Sequence, residues 1–246
     1  MVFFTVPVTY SQTTGTVRKM QKVPAGIYYP FFSGNNEKVN SFLMDETAVT
    51  NAEYLEFVKA NPAWRKSQVK RIYADANYLR YWESDLEIGK NNRALLNSPV
   101  VYVSWFAAKA YCAWKNKKLP SVAQWEYAAS AKPVNLKTGL TEYILAWNAQ
   151  PNPKMLPNVK STYKNIYSIY DMHGLIWEWT SDFNSYTGSV DSKGNGQEEF
   201  NNFCGAGGAN VKNKKDYASF LRYSYRGSLK GNYCIANLGF RCIKNL

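Results

Sequence analysis

Three segments of the chain place apolar residues at helical spacing behind a residue that can cap a helix. The caps are Thr50, Ser104 and Ser121, whose hydroxyl groups can accept a hydrogen bond from the amides of the first turn. Glu53 and Gln124 stand three residues after Thr50 and Ser121, which completes two capping boxes. The spacing predicts three helices. Their inward-facing residues are Tyr54, Phe57, Val58, Trp105, Ala108, Tyr111, Cys112, Trp125, Ala128 and Ala129.

The remaining segments are shorter and less regular. Residues 63–98 follow neither the helical nor the strand period, and residues 132–168 and 184–215 have the polar and Gly- or Pro-containing composition that is typical of loops. With no internal repeat, the pattern predicts a single α+β domain that is rich in loops and low in regular secondary structure. Runs of strand composition are 23–26, 39–44, 99–103 and two closing strands within 220–243.

The composition supports a sizeable core and excludes several enzyme classes. Of the 246 residues, 46% are apolar and 16% are aromatic. The single histidine, His173, cannot by itself build a three-histidine zinc site or a two-histidine iron site. Neither GxGxxG nor GxxxxGK[ST] occurs, so the sequence predicts no phosphate-binding loop.

The net charge of +12 bears on the partner. Lysines and arginines are scattered in short groups, so we predict no nucleic-acid binding. The basic residues either form a solvated surface without a partner, or they attract an acidic protein partner or an anionic envelope surface. No run of 18 apolar residues occurs, so no transmembrane segment is predicted.

The first residues and the cysteines indicate the compartment. MVFFTVPVTYSQ is similar to the end of a secretory signal peptide, although residues 2–8 also suit an N-terminal strand. We therefore predict a signal remnant and tail over residues 1–21 and one domain over residues 22–246. The even number of cysteines, four without CxxC spacing, allows two disulfides. Together these features predict a periplasmic or secreted protein.

Five segments occur in this order along the chain: VPAGIYY, FLMDETAVTNAEYLEFV, PVVYVSWFAAKAYCAWKNKKLPSVAQWEYAA, IYDMHGLIWEWTSDF and NLGFRC. Together they resemble the formylglycine-generating enzyme (sulfatase-modifying factor) family. The resemblance implies a single, loop-rich domain with a C-type-lectin-like fold. A narrower likeness, in DMHGLIWEW, FCGAGGA, DYASFLRYSYRGSLKGNYC and NLGFRC, is to the NirV-type subgroup, which is associated with copper nitrite reductase systems.

The family's oxidase uses two cysteines that follow an RGGS-like segment and bind Cu(I). Here the counterpart of that segment is residues 205–209, and no cysteine occurs between Cys204 and Cys234. The catalytic cysteine pair is therefore absent, and we predict that the chain is not a formylglycine-generating oxidase.

The resemblance also assigns the cysteines. Cys112 and Cys242 match the positions of a structural disulfide in the family. Cys204 and Cys234 are left over as a second disulfide, as two separate buried thiols, or as a thiol pair that binds copper or carries redox chemistry.

The segment from Met172 to Trp179 offers two weaker metal candidates. His173 could bind copper together with Met172. The family's turn helps to bind calcium, commonly through an Asn, but Leu175 stands here and offers no side-chain oxygen. A calcium site that uses Glu178 and backbone carbonyls stays open, as does the alternative that Glu178 pairs with a buried arginine such as Arg241.

Three functions are consistent with these features. The first is a non-catalytic accessory or binding protein of the bacterial envelope, whose partner is an acidic protein such as a copper enzyme. The second is a copper-dependent or redox enzyme that uses Cys204 and Cys234. The third is a structural scaffold of the envelope.

Overall fold

The computed structural model describes residues 19–31, 36–89, 93–184 and 211–246. The predicted signal remnant therefore lies almost entirely outside the described residues, and so does Cys204. The first described strand begins at Met20, two residues before the predicted start of the domain.

A three-stranded antiparallel sheet joins the two ends of the described chain. Its central strand is β4 (Phe42–Asp45), which pairs with β1 (Met20–Val23) on one side and with β7 (Ile243–Asn245) on the other. Phe42 and Met44 of β4 are fully buried, because alternate residues of a strand point to the same face. The sheet thus holds the first described strand and the C-terminal strand on opposite sides of β4.

The other two sheets have two strands each. In the first, β2 (Gly26–Tyr28) pairs antiparallel with β3 (Glu37–Val39). In the second, β5 (Trp177–Glu178) pairs parallel with β6 (Leu238–Gly239). The prediction of one strand over residues 39–44 is confirmed for residues 42–44 only, because the chain changes partners between β3 and β4. Residues 99–103 also form no strand, since only a single bridge joins Pro99 to Thr50.

The three predicted helices are confirmed. Helix α1 (Asn51–Ala60) has the Thr50–Glu53 capping box, and a 3-10 turn follows at Pro62–Trp64. After the short helix α2 (Arg93–Leu96) come α3 (Trp105–Trp114), capped by Ser104, and α4 (Val122–Ala129), with the Ser121–Gln124 box. A side-chain cap satisfies amides that a helix leaves without partners, so it fixes where each helix starts.

Two further helices occupy segments that the sequence pattern assigned otherwise. Helix α5 (Leu140–Asn148) lies in a predicted loop, and helix α6 (Lys214–Gly227) covers the start of residues 220–243, for which two closing strands were predicted. The two closing strands β6 and β7 lie at the end of that range. The buried face of α6 carries Ala218, Arg222, Tyr223 and Arg226, and two of these four are charged. A search for apolar periodicity does not recognise such a face, which explains the wrong prediction.

The main core lies between α1, α3 and the chain that leads into β7. Tyr54 stacks on Tyr111 with 5.8 Å between ring centroids, and Phe240 packs edge-on against both. A disulfide joins Cys112 of α3 to Cys242 across 130 residues, with 5.8 Å between the Cα atoms. This is the pair that the family resemblance implies. Among the described residues, no helix is long and apolar enough to span a bilayer.

Candidate binding cleft

A layer of buried charged side chains connects α4 to α6. Glu126 of α4 accepts hydrogen bonds from Arg222 at 2.9–3.1 Å and from Arg226 at 2.6 Å. Burial by itself would raise the pKa of the Glu126 carboxyl, but the charges of Arg222 and Arg226 lower it to about 2. Glu126 is therefore ionised at neutral pH and holds α6 against α4.

A second ion pair lies beside the first. The carboxylate of Glu178 accepts hydrogen bonds from Arg241 at 2.8–3.0 Å and from Trp125 Nε1 at 2.8 Å. The side chains of Glu178 and Arg241 are fully buried, and Arg241 also donates to the carbonyl of Tyr170 at 2.9 Å. Of the two roles left open for Glu178, the pairing with Arg241 is confirmed. Both of its oxygens are used in these bonds.

His173 lies next to these charges. Its ring meets Trp125 edge to face at 5.4 Å between centroids, and the Arg226 guanidinium lies 5.0 Å from the Trp125 ring centroid. Burial, followed by the nearby charge of Arg222, lowers the pKa of His173 to about 3, so the imidazole is neutral at pH 7. Met172 is buried as well. Within the described residues, no group of three His, Cys, Asp or Glu side chains could hold a metal ion.

The turn before Glu178 is held in place by backbone geometry. Gly174 has φ +97°, and a Cβ atom there would lie 2.0 Å from the hydroxyl oxygen of Tyr143. Only glycine fits this position without strain. Asp171, which starts the turn, accepts hydrogen bonds from the amide and the hydroxyl of Thr162 at 2.9 and 2.8 Å.

Cys234 is a buried thiol without a disulfide bond. Burial raises its pKa, and the neighbouring Asp75 carboxylate adds to the increase. Such a thiol is a poor source of the thiolate that nucleophilic, redox and copper chemistry need. Cys204 lies outside the described residues, so the three alternatives for Cys204 and Cys234 stay predictions.

An aromatic cleft lies above the charged layer, between α5 and α6. Trp177 stacks on Tyr225 of α6 with 4.3 Å between centroids, and its ring centroid lies 5.3 Å from that of Trp147 of α5. Trp177 and Asn148 both line two open clefts of about 440 and 500 Å³. We call these two clefts together the aromatic cleft. Its size is in the range of ligand-binding sites.

Two buried polar atoms in the aromatic cleft find no hydrogen-bond partner. They are Nδ2 of Asn148 and the hydroxyl of Tyr225. Burial raises the pKa of Tyr225, so its hydroxyl stays protonated. A buried donor without a partner costs free energy, and native proteins keep few of them. The walls of the aromatic cleft therefore contain two unsatisfied buried donors.

The sequence identified only part of this arrangement. Trp125, His173, Glu178 and Arg241 were singled out and are brought together by the fold. Trp147, Asn148 and Tyr225 were missed because they lie on the two unpredicted helices. Signals for these helices were present: Leu140, Tyr143, Ile144 and Trp147 have helical spacing in α5, and Asn213 with Asp216 begins α6.

The chain belongs to the family of the sulfatase-modifying factor enzyme 1-like domain, whose model matches residues 7–246. It is 28% identical to the formylglycine-generating enzyme of Streptomyces coelicolor, over 83% of this chain and 78% of that protein. It is 29% identical to the inactive C-alpha-formylglycine-generating enzyme 2 of Bos taurus, over 58% of this chain and 60% of that protein. The chain thus spans less than two thirds of this second relative.

A solved structure supports the fold. PvdO from Pseudomonas aeruginosa superimposes with a TM-score of 0.53 over 92% of this chain and 94% of that chain, at 19% identity. At this level of identity the likeness establishes a shared fold only.

Proposed function

We propose that this chain is a non-catalytic accessory or binding protein built on the formylglycine-generating-enzyme scaffold. The observation that carries the proposal is the segment where the family's oxidases place their cysteine pair. From residue 205 to residue 233 the chain has no cysteine. Part of that stretch is α6, whose inward-facing Arg222 and Arg226 bind Glu126. Helix α6 holds on to α4 through these arginines and forms one wall of the aromatic cleft.

The similarity to inactive relatives supports the same proposal. Alongside the Bos taurus protein, the inactive C-alpha-formylglycine-generating enzyme 2 of Mus musculus is 33% identical over 58% of this chain. The family therefore includes proteins named as inactive. We also propose that the fold is of the C-type-lectin-like kind and that the chain lacks the cysteine pair of the family's oxidases.

An oxidase assay tests this proposal. The purified protein, supplied with Cu(I) and oxygen, is incubated with a cysteine peptide that the Streptomyces coelicolor enzyme converts, and that enzyme serves as the positive control. We expect no formylglycine by mass spectrometry of the peptide. Formylglycine formation by this chain would contradict the proposal.

The setting is a further part of the proposal. We infer a periplasmic or secreted protein of the NirV type, which meets an acidic partner such as a copper nitrite reductase. The net charge of +12 supports an acidic partner, because opposite charge speeds association and favours the encounter. Co-purification with a copper nitrite reductase, strong at low salt and weaker at high salt, is the expected result. Absence of binding at low salt would rule out this partner.

A further inference from the structure

We propose that a patch of exposed apolar and basic side chains beside helix α3 binds the surface of an anionic lipid bilayer. The inference goes beyond the proposed function, because it assigns a second surface and its ligand. It depends on three features of the patch: an exposed isoleucine at the tip of a turn, aromatic rings behind it, and basic side chains without ion pairs.

The tip of the patch is the turn from Lys70 to Tyr73. The amide of Tyr73 donates to the carbonyl of Lys70 at 2.8 Å, which places Arg71 and Ile72 at the two central positions of a β-turn. The next residue, Ala74, is fully buried and anchors the turn. Ile72 is 71% exposed, more than any other large hydrophobic side chain of the described residues. Turns favour Gly, Pro, Asn, Asp and Ser, so the turn itself does not require isoleucine.

Aromatic rings continue the apolar surface from the turn onto α3. The ring of Tyr73 meets that of Phe106 edge to face at 5.5 Å between centroids, and Phe106 meets Trp105 at 5.3 Å. Tyr73 is 42% exposed, and Phe106 and Trp105 are partly exposed. The apolar part of the patch is therefore larger than one side chain.

Exposed cations surround these apolar side chains. They are Lys70, Arg71, Lys109 and Lys230. Lys109 follows Phe106 on α3, and its Nζ lies 4.8 Å from the ring centroid of Trp105. Lys230 precedes Gly231, where a Cβ atom would lie 3.1 Å from the Phe106 ring. None of the four cations forms an ion pair with a described residue.

Carboxylates are missing from the segments that form the patch. Two acidic side chains that lie next to these segments bind other groups. Asp75 accepts hydrogen bonds from two backbone amides at 2.8 and 3.1 Å, and Asp85 accepts them from the amide and the hydroxyl of Ser67 at 2.7 Å. The patch therefore has a positive potential that attracts anions. The segments without Asp or Glu are residues 57–74, 101–118 and 217–246.

The side-chain types favour a lipid surface over a protein partner. Protein–protein interfaces are depleted in lysine, whereas three of the four cations are lysines. Anionic headgroups are a common ligand of clustered lysines and arginines. An exposed aliphatic side chain such as Ile72 can enter the boundary of the acyl chains, and tyrosine is enriched at the level of the headgroups. Ile72 and Tyr73 stand next to each other in the turn and match these two levels.

Vesicle binding tests the inference. The whole protein is mixed with vesicles of equal parts phosphatidylglycerol and phosphatidylcholine, or of phosphatidylcholine alone, and the bound fraction is measured by sedimentation. We expect binding to the anionic vesicles at low salt and release at high salt, because salt screens the attraction. We expect no binding to phosphatidylcholine alone.

Two variants locate the contact. Ile72→Ser should lower the partition coefficient about tenfold, because it removes the apolar side chain that enters the bilayer. Lys109→Gln should lower it about fivefold at low salt and much less at high salt.

Each variant has a matched control elsewhere on the surface. Ile166→Ser changes an isoleucine that is 56% exposed and whose amide donates to the carbonyl of Lys132. Lys38→Gln changes an exposed lysine of β3. Both controls should bind the anionic vesicles as the wild type does.

Three results would overturn the inference: no binding of the wild type to anionic vesicles at low salt, equal binding to both kinds of vesicle, and equal binding by the wild type and Ile72→Ser. If Ile72→Ser kept vesicle binding but lost binding to a copper nitrite reductase, the patch would be a protein-docking surface instead. None of these outcomes involves formylglycine formation, so the oxidase assay tests the proposed function separately.

Discussion

The charged layer and the aromatic cleft are neighbours that treat their polar groups in opposite ways. In the charged layer, Glu126 and Glu178 each accept several hydrogen bonds, and the arginines opposite them are buried. In the cleft, Asn148 Nδ2 and the Tyr225 hydroxyl have none. The layer therefore holds the helices in position through satisfied charges, whereas the walls of the cleft keep two buried donors unsatisfied.

The largest effect is expected in the fully buried ion pair. Glu178→Gln leaves the Arg241 guanidinium without its counter-charge in a site where both side chains are inaccessible to water. We expect a loss of about 3–5 kcal/mol in the free energy of unfolding, measured by urea denaturation. The control is Glu56→Gln, which breaks an exposed pair with Lys59 and should cost less than about 0.5 kcal/mol. Equal losses of unfolding free energy in both variants would show that the buried pair stabilises the fold no more than the exposed pair does.

Acid should weaken the other ion pair through Glu126. Its pKa of about 2 in the folded protein lies below the ordinary value near 4.5, so the unfolded chain binds the proton more readily. The stabilisation is then complete above about pH 5 and is lost as the pH falls towards 2. Glu126→Gln should unfold at lower urea concentration at pH 7 and should lack this part of the pH dependence. An unchanged acid profile in that variant would contradict the assignment.

His173 should give a separate pH dependence. Its pKa is lowered from 6.5 to about 3 in the folded protein, so between these pH values the unfolded chain binds a proton that the folded protein does not bind. Stability is therefore full above about pH 7 and falls by on the order of 2 kcal/mol by pH 5. As the chain has one histidine, His173→Gln isolates the effect. A wild-type profile that is flat from pH 7 to pH 5 would show that the imidazole is not buried and neutral.

The smallest effect is expected in the aromatic cleft. Tyr225→Phe removes a hydroxyl, and Asn148→Leu an Nδ2 group, that each lack a hydrogen-bond partner, so the free energy of unfolding should change by less than about 0.5 kcal/mol or increase slightly. Urea denaturation of both variants checks this. A loss of about 2 kcal/mol or more would mean that these atoms have structural partners, and the contrast with the charged layer would disappear.

Sequence patterns predicted α1, α3 and α4 because each has a side-chain cap and an apolar face. They failed for α6, where arginines form the buried face and their partner, Glu126, lies 96 residues away from Arg222. A local pattern carries no information about that partner. For the same reason the sequence allowed both a calcium site and an ion pair for Glu178, and the pairing with Arg241 became evident only in the fold.

The family, the capped helices, the single histidine and the lack of cysteine between Cys204 and Cys234 can all be recognised in the sequence. Which charges neutralise each other, and which polar atoms stay unpaired, follows from the fold. Capping and periodicity act within one turn or one strand, whereas pairing in the interior depends on residues far apart in the chain. The aromatic cleft, made by two helices and the turn at Trp177, is a property of that second kind.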